Sequence, residues 1–186
     1  MKVLVGCEYS ATVARAFRDR GHAVMTCDLL PTEDESIPHY QGDVFKALEL
    51  HDWGLVILHP PCTHLAVSGN RWYAGTKERE DALDWTLQLF GAACRAVKDG
   101  GVAMENPVGA LSSWRKPDQY IQPWQFGHGE TKKTGLWLYN LPKLEPTDIV
   151  DGREPRIHHM SPGPDRGKER SRFYPGIAKA MADQWG

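Results

Sequence analysis

Short apolar runs and stretches with helical periodicity alternate through the first half of the chain. Four apolar runs predict buried strands, at residues 3–5, 23–27, 55–58 and 102–104. Three stretches between them predict helices, at residues 11–20, 44–50 and 77–97. Strands that alternate with helices in this way are typical of a doubly wound, mostly parallel α/β sheet.

The longest predicted helix carries apolar residues at helical spacing, which should form its buried face. These residues are Leu83, Leu87, Phe90, Cys94 and Val97. The segment 99–101, Asp-Gly-Gly, is expected to close this helix, and the polar stretches 29–40 and 59–76 are expected to be loops.

The pattern changes in the second half of the chain. Two strand-like runs, 120–124 and 135–139, follow each other without a long helix between them, so we expect them to be the last, partly antiparallel strands. The stretch 142–164 is rich in proline, charge and histidine and shows little periodicity. Residues 174–185 predict a terminal helix with Pro175 in its first turn.

The composition is that of a soluble globular protein, with 41% hydrophobic and 25% charged residues, and the 186 residues fit one domain. A net charge of -2 provides no overall attraction to nucleic acid, so such a surface would have to be a local patch. No apolar stretch approaches the roughly 20 residues of a membrane helix. The N-terminus predicts a strand rather than a signal peptide, and four scattered cysteines indicate free thiols, so a cytoplasmic location is expected.

Candidate chemistry lies where two predicted strands end. Pro60-Pro61-Cys62 follows the strand 55–58, and Glu105-Asn106-Pro107 follows the strand 102–104. Because ligands bind outside the carboxyl ends of parallel strands, the thiol and the carboxylate should face one crevice. A nucleophile beside a group that transfers protons suggests covalent chemistry on a flat, electrophilic ring.

The thiolate is the reactive form of a cysteine, and nearby positive charge favours it. His59, His64 and Arg71 are close to Cys62 in sequence and are candidates for that charge. A buried, inert cysteine is the more common case. We accept that interpretation for Cys94 and Cys27, but not for Cys62, whose neighbours are polar and loop-like.

A metal site is a weaker alternative. His59, Cys62 and His64, with His158 and His159, have ligand chemistry, but their spacing matches no zinc pattern.

The ends of the first two predicted strands, together with a further strand end at residues 41–44, predict a nucleotide site. Gly6 lets a ligand approach the first turn, and Ser10 is a candidate helix cap. Asp28, some 20 residues later, is placed to bind a ribose diol, and Asp43 to accept from an adenine amino group. Each acid taken alone is more often a cap or a loop residue. The glycine-rich dinucleotide fingerprint and the P-loop are both absent, so NAD and FAD are not indicated.

Taken together, these strand-end residues resemble the DNA cytosine-5 methyltransferases. The resemblance implies a single class I S-adenosylmethionine-dependent, Rossmann-like domain over 1–186. It puts the family's nucleophile on Cys62 and the glutamate at cytosine N3 on Glu105. Lys132 falls on an arginine that touches the target base, and lysine lacks that residue's bidentate fork.

The resemblance also implies ligand contacts. S-adenosylmethionine would be held by Gly6, Cys7, Glu8, Asp28, Leu29, Asp43, Val44, Pro60 and Gly176. DNA, as duplex or single strand, would be contacted by Pro61, Asn70, Arg71, Asn106, Pro107, Arg170 and Arg172. The loop 63–76 would close over a cytosine flipped out of the stack.

Three departures from the family narrow this interpretation. The first turn, Gly6 to Ser10, lacks the usual Phe-x-Gly-x-Gly, and the final Gly-Asn-Ser turn is replaced by Pro175-Gly176-Ile177. The target-recognition region is reduced to the irregular segment 142–172, as in short branches carried by bacteriophages.

Several alternatives stay open. The substrate is DNA, or else a cytosine nucleotide or a single-stranded nucleic acid. The donated group is a plain methyl or a modified one, and a non-catalytic nucleic-acid-binding homologue is a further alternative. The basic segment either contacts phosphate or is a loop held by ion pairs; its cations are Arg153, Arg156, Arg166, Lys168, Arg170 and Arg172.

Overall fold

The computed structural model describes residues 1–161, 163 and 166–186. Its strands are β1 Lys2–Gly6, β2 Ala23–Asp28, β3 His39–Gln41, β4 Trp53–Leu58, β5 Val97–Pro107, β6 Gln119–Ile121 and β7 Thr134–Tyr139. Its helices are α1 Thr12–Arg18, α2 Val44–Leu48, α3 Asn70–Tyr73, α4 Lys77–Ala96, α5 Leu111–Trp114, α6 Arg156–His159, α7 Arg166–Ser171 and α8 Pro175–Trp185. Short 3₁₀ turns cover Val67–Gly69 and Pro123–Gln125.

The described strands form one sheet in the order β3-β2-β1-β4-β5-β7-β6. Strands β1 to β5 pair in parallel, whereas β7 runs antiparallel to both of its neighbours. The predicted α/β fold with a mostly parallel, doubly wound sheet and partly antiparallel last strands is confirmed.

The register of the central strands aligns their carboxyl ends. Leu58, the last residue of β4, is the partner of Gly6 on β1 and of Met104 on β5. The residues that follow β1 and β4, and residues 105–107 of β5, therefore lie along one edge of the sheet.

Helices cover both faces of the sheet, because alternate residues of a strand point to opposite sides. Helices α1 and α8 bury Val13, Phe17, Met181 and Trp185 in one apolar layer. Helices α2 and α4 bury Leu48, Leu89, Phe90 and Ala93 in the other. Each large apolar side chain so buried contributes about 1.5–3 kcal/mol. None of the described helices has the length and apolar character needed to cross a bilayer.

The buried face predicted for α4 is wrong in part. The most buried residues of the helix are Thr86, Leu89, Phe90 and Ala93. Thr86 tolerates burial because its hydroxyl donates to the carbonyl oxygen of Ala82 at 2.8 Å. Three residues of the predicted stripe are only partly buried, namely Leu83, Leu87 and Cys94.

Three loop predictions also need correction. The segment 99–101 does not close α4 but lies within β5. Gly100 permits this pairing, since a Cβ there would lie 2.2 Å from the carbonyl oxygen of Gly54. The predicted loop 59–76 contains a 3₁₀ turn and α3, and the predicted loop 29–40 runs into β3.

The loop after β4 is fastened to the segment after β5. The backbone N–H of Ala110 donates to the carbonyl oxygen of Leu65 at 2.7 Å, and Ala66 and Gly109 form an antiparallel bridge. These backbone contacts join the two segments that carry the candidate nucleophile and carboxylate.

Arg79 on α4 holds the same loop from its other side. Its guanidinium donates to the carbonyl oxygens of His64 and Ala66, at 2.7 and 3.4 Å, and to Oδ1 of Asn70 at 2.6 Å. Asn70, a predicted substrate contact, is therefore engaged by the protein itself.

Gly109→Ala should destabilise the fold. A Cβ at this position would lie 1.9 Å from the carbonyl oxygen of Leu65, so the backbone of one segment must move. We expect the free energy of unfolding, measured by urea denaturation, to fall by about 1–3 kcal/mol. Gly167→Ala is the control, because a Cβ there meets nothing within 4 Å. Equal midpoints for Gly109→Ala and the native chain would contradict the packing described.

Candidate active site at the carboxyl edge of the sheet

Cys62 and Glu105 lie at the edge formed by β4 and β5, whose ends are joined by the hydrogen bond from Asn106 to the carbonyl oxygen of Pro60. The negative charge of Glu105 raises the pKa of the Cys62 thiol. The carbonyl oxygen of Cys62 accepts from the N–H groups of Leu65 and Ala66, at 3.0 and 2.9 Å, so Cys62 is the first residue of a hydrogen-bonded turn. The structure thus brings together the two residues that the sequence paired; their catalytic roles remain a prediction.

The environment of Cys62 favours the protonated thiol. Burial is the largest cause of its raised pKa, and the charge of Glu105 is the second. The positive charges of Lys132 and Arg170 act in the opposite direction but do not outweigh them. The free protein therefore holds Cys62 mainly as a thiol near neutral pH.

Two sequence neighbours expected to supply positive charge to Cys62 are engaged elsewhere. The guanidinium carbon of Arg71 lies 5.2 Å from the centre of the Trp72 ring. The ring of His64 lies 4.4 Å from the ring of Tyr73. The positive charge at the thiol comes instead from parts of the chain that are distant in sequence.

Lys132 is the cation that acts on both reactive groups. Its charge lowers the pKa of Cys62 and that of Glu105. Its ammonium group donates to the carbonyl oxygen of Arg170 at 3.0 Å and lies 5.8 Å from the Tyr174 ring. The lysine that replaces an arginine in the sequence pattern thus reaches the predicted site.

His59 binds the Glu105 carboxylate. Its Nδ1 lies 3.3 Å from Oε2 of Glu105, and both side chains are 12% exposed. Burial raises the pKa of Glu105, but the hydrogen bond from His59, the charges of Lys132 and His59, and a bond from Thr134 lower it below its usual value. The sequence analysis considered His59 as a source of charge near Cys62 and as a candidate metal ligand, and missed this bond, although the position of His59 directly after β4 was a signal.

Asn106 joins the ends of β4 and β5. It is 1% exposed, and its Nδ2 donates to the carbonyl oxygen of Pro60 at 3.1 Å. The amide of this predicted substrate contact is therefore directed at the Pro-Pro-Cys turn. Pro61 is exposed and Pro107 half-buried, and their substrate contacts remain predictions.

Cys7, Asp28 and Asp43 converge beyond β1, β2 and β3. Burial, and then the nearby acids including Asp28 and Asp43, raise the pKa of the Cys7 thiol. Cys7 itself has φ 60°, which turns the chain sharply after β1. One oxygen of each carboxylate accepts from the backbone, Asp28 from Leu30 at 2.9 Å and Asp43 from Phe45 at 3.0 Å.

This cluster has the chemistry of a nucleoside site. Carboxylates accept from hydroxyl and amino groups, and Leu29, next to Asp28, is 75% exposed and offers an apolar surface for a ring. Gly6 and Val44 have a packing role, since a Cβ on Gly6 would lie 2.8 Å from Val44 and 2.9 Å from Leu58.

Glu8 is committed to the start of α1. Its carboxylate accepts from the N–H groups of Val13 and Ala14, at 2.8 and 3.3 Å. The predicted helix cap, Ser10, accepts from the N–H of Thr12, the first residue of α1, at 3.4 Å, and its hydroxyl also donates to Glu8 at 3.3 Å. Burial raises the pKa of Glu8, against the charge of His59 and the backbone bonds.

Gly176, another predicted cofactor contact, lies in the first turn of α8. Its N–H donates to Nε2 of His128 at 2.9 Å, and a Cβ would lie 1.9 Å from the carbonyl oxygen of Phe126. This close packing explains the glycine, and its contact with a cofactor remains a prediction.

The basic segment is partly neutralised by its own ion pairs. Arg172 binds both carboxylate oxygens of Glu33, at 3.0 and 3.2 Å, and also Glu169. Arg156 donates to Glu130 at 2.8 Å. For these two arginines the structure favours the loop held by ion pairs over phosphate contact.

The described side chains include no cluster of three His, Cys, Asp or Glu residues placed to hold a metal ion. The side chains of His158 and Lys168 lie outside the described residues.

Charge substitutions should change the reactivity of the Cys62 thiol in opposite directions. Glu105→Gln removes an anion, so the thiol should ionise at lower pH and react faster with iodoacetamide near neutral pH. Lys132→Gln removes a cation and should slow the same reaction. Alkylation of the Cys62 peptide is followed by mass spectrometry. Lys133→Gln, whose ammonium group lies over the Tyr120 ring, is the control. Equal rates in all variants would contradict this electrostatic account.

Some solved structures of other proteins share the fold of this chain. No family model and no curated protein matches the chain. Similar solved structures include an E. coli prophage protein provisionally described as a DNA modification methyltransferase, with 12% identity and a TM-score of 0.51 over 87% of this chain and 55% of that one. Another is the methyltransferase EhMeth of Entamoeba histolytica, with 10% identity and a TM-score of 0.53 over 81% of this chain and 57% of that one.

The chain thus spans little more than half the length of each of these structures. At such low identity the likeness concerns the fold, which is that of the class I S-adenosylmethionine-dependent methyltransferases, as the sequence predicted.

Proposed function

We propose that this protein transfers a methyl group from S-adenosylmethionine to C5 of cytosine in DNA, with Cys62 as the nucleophile. One observation carries the proposal: a thiol and a carboxylate lie at adjacent strand ends, with the charge of Lys132 acting on both. Binding alone requires none of these groups in this arrangement. The fold, and the methyltransferases that share it, support the assignment.

The methyl donor would be held at the ends of β1 to β3. Asp28 would accept from the ribose hydroxyls and Asp43 from the adenine amino group, with Leu29 against the adenine ring. When bound, S-adenosylmethionine supplies an electrophilic methyl group.

Three residues would act on the cytosine ring in turn, namely Cys62, Lys132 and Glu105. Cys62, as a thiolate, adds to C6, and Lys132 stabilises the negative charge that this requires. Glu105 protonates or hydrogen-bonds N3, so negative charge does not build up on the ring and C5 becomes nucleophilic. After methylation, loss of the C5 proton allows the Cys62 sulfur to leave. Since the free protein favours the thiol, the Cys62 proton passes to solvent when the substrate binds.

A second question is whether the substrate is duplex DNA, a single strand or a cytosine nucleotide. In a duplex the cytosine must leave the stack, at a cost of a few kcal/mol. Trp72 on α3 is 69% exposed, and the loop that carries it could fill the gap. The internal pairing of Arg156 and Arg172 instead favours a second candidate, a single strand or a cytosine nucleotide, because fewer cations are free for phosphates.

Cys62→Ser should abolish methylation, because a hydroxyl is a far weaker nucleophile than a thiolate. We expect a loss of roughly 10³-fold or more in the transfer of radiolabelled methyl groups. Cys94→Ser, on α4, is the matched control and should keep activity. With 5-fluorocytosine in the substrate, C5 carries no proton to lose, so a Cys62 adduct should accumulate and be visible by mass spectrometry. Methylation by the Cys62→Ser protein would refute the mechanism.

The same assay separates the substrates. Duplex DNA, single-stranded DNA, RNA and dCMP are compared as acceptors, and mass spectrometry of the product base identifies the transferred group. Methylation of dCMP at the rate found with DNA would favour the second candidate.

Asp28→Ala should weaken binding of S-adenosylhomocysteine. Loss of a hydrogen bond to a charged acceptor costs about 1.5–3 kcal/mol, or roughly a tenfold or greater rise in Kd measured by calorimetry. Glu35→Gln, an exposed acid in the same β2–β3 connection, is the control. An unchanged Kd for Asp28→Ala would remove Asp28 from the donor site, and no binding by the native protein would favour the non-catalytic alternative.

A further inference from the structure

The carboxyl edge of the sheet continues beyond the reactive groups toward β7 and β6. Cys62 follows β4, Glu105 lies near the end of β5, and Lys133 comes directly before β7. Thr134, the first residue of β7, pairs with the last residue of β5 and with the last residue of β6, so the end of β6 lies at the same edge. Neighbouring strands are about 4.8 Å apart, which puts the end of β6 roughly 15 Å from the end of β4.

Two aromatic side chains at the end of β6 each have a cation against the ring. Tyr120, on β6, is 37% exposed, and the ammonium group of Lys133 lies 4.3 Å from its ring centre. Trp124, in the 3₁₀ turn after β6, is half-buried, and the guanidinium carbon of Arg153 lies 3.8 Å from its ring centre. These four residues are called the β6 surface below.

The backbone holds the guanidinium of Arg153 over Trp124. Its Nη1 donates to the carbonyl oxygens of Val150 and Gly152, the second at 2.6 Å. The N–H of Val150 in turn donates to the carbonyl oxygen of Trp124 at 3.0 Å. One face of the guanidinium lies against the indole, and since Arg153 is exposed, its other face is turned to solvent. Nucleobases stack on a flat guanidinium presented in this way.

The two cations of the β6 surface keep their charge available for a ligand. Within the part of the chain that the structure describes, neither Lys133 nor Arg153 forms a salt bridge. Asp151 and Glu154 lie close to Arg153 in sequence, so the positive charge of the surface is modest. Aromatic rings beside a few available cations are typical of surfaces that bind single-stranded nucleic acid, where bases stack and phosphates contact the cations.

We propose that the β6 surface binds the nucleotides next to the target cytosine in single-stranded DNA, an inference that rests on the proposed function. With the cytosine at Cys62, the strand runs along the carboxyl edge of the sheet from β4 to β6. One base stacks on the Tyr120 ring as the Lys133 ammonium group moves from that ring to a phosphate. Another base stacks on the outer face of the Arg153 guanidinium.

A single strand fits this surface better than a duplex. When a duplex gives up one cytosine, the bases on either side of it stay paired and stacked, so their faces do not reach Tyr120 or Arg153. A single strand offers those faces without the cost of unpairing. Because every base has a flat face, we expect little preference for the bases that flank the cytosine.

Binding of a labelled oligonucleotide tests the β6 surface. The probe is a fluorescein-labelled single-stranded DNA of about 12 nucleotides with one cytosine among thymines, and its Kd is measured by fluorescence anisotropy with S-adenosylhomocysteine present. Tyr120→Ala should raise the Kd roughly fivefold or more, whereas Tyr120→Phe keeps the ring and should bind like the native protein. Tyr139→Ala is the matched control, because Tyr139 is 40% exposed but lies at the opposite end of β7.

The cations are tested in the same assay. Lys133→Gln and Arg153→Gln should each raise the Kd by about two- to fivefold, since each removes one cation from a ring or a phosphate. Lys98→Gln is the control, because Lys98 is exposed near the start of β5, at the amino edge of the sheet.

Duplex DNA and RNA of the same sequence complete the comparison. The Kd for the duplex should be higher than that for the single strand and should not change in Tyr120→Ala. The inference would be overturned by unchanged single-strand binding in Tyr120→Ala, by a native protein that does not bind the probe, or by tighter binding of duplex or RNA than of single-stranded DNA. Methyl transfer is measured separately: if binding depends on Tyr120 but no cytosine substrate is methylated, the proposed function fails and the β6 surface stands.

Discussion

The hydrogen bond from Asn106 to the carbonyl oxygen of Pro60 holds the geometry of the candidate site. Pro60 and Pro61 have no N–H, so this turn cannot secure itself through backbone donors of its own. It is secured from outside, by Asn106 on β5 and by the bond of His59 to Gly6 on β1. The position of the thiol therefore depends on three neighbouring strands, and so on the parallel order of the sheet.

The pKa values of the groups at the carboxyl edge of the sheet depend on their burial and on one another's charges. Burial works against every charge there, yet Glu105 stays acidic because His59, Lys132 and Thr134 support it. Cys62 lies beside the same carboxylate and is held as a thiol in consequence. In the free protein Cys62 is therefore mainly in its less reactive, protonated form. A substrate that approaches Glu105 changes the balance between thiol and thiolate at Cys62.

Sequence reasoning located the strand ends well, because apolar periodicity and the strand-end rule are both local. It missed contacts between distant segments: His59 and Glu105 are separated by 46 positions, and Arg172 and Glu33 by 139. It also misjudged α4, since a count of apolar residues overlooks Thr86, whose hydroxyl is satisfied within its own helix. The sequence could not show that the Asn106 amide donates to the carbonyl oxygen of Pro60, because this bond depends on how the neighbouring turn folds.

The ion pair of Arg172 with Glu33 has a different character from the contacts around Cys62. Its side chains are 40% and 30% exposed, so dissolved ions can weaken it, whereas the backbone bonds between the β4 and β5 loops do not respond to salt in this way. Arg172 stands next to Phe173, which covers His59, while Glu33 follows β2 beside the predicted donor site. Higher ionic strength should therefore weaken this link between the segment before α8 and the β2–β3 connection, while the backbone bonds that hold the loop of Cys62 keep their strength.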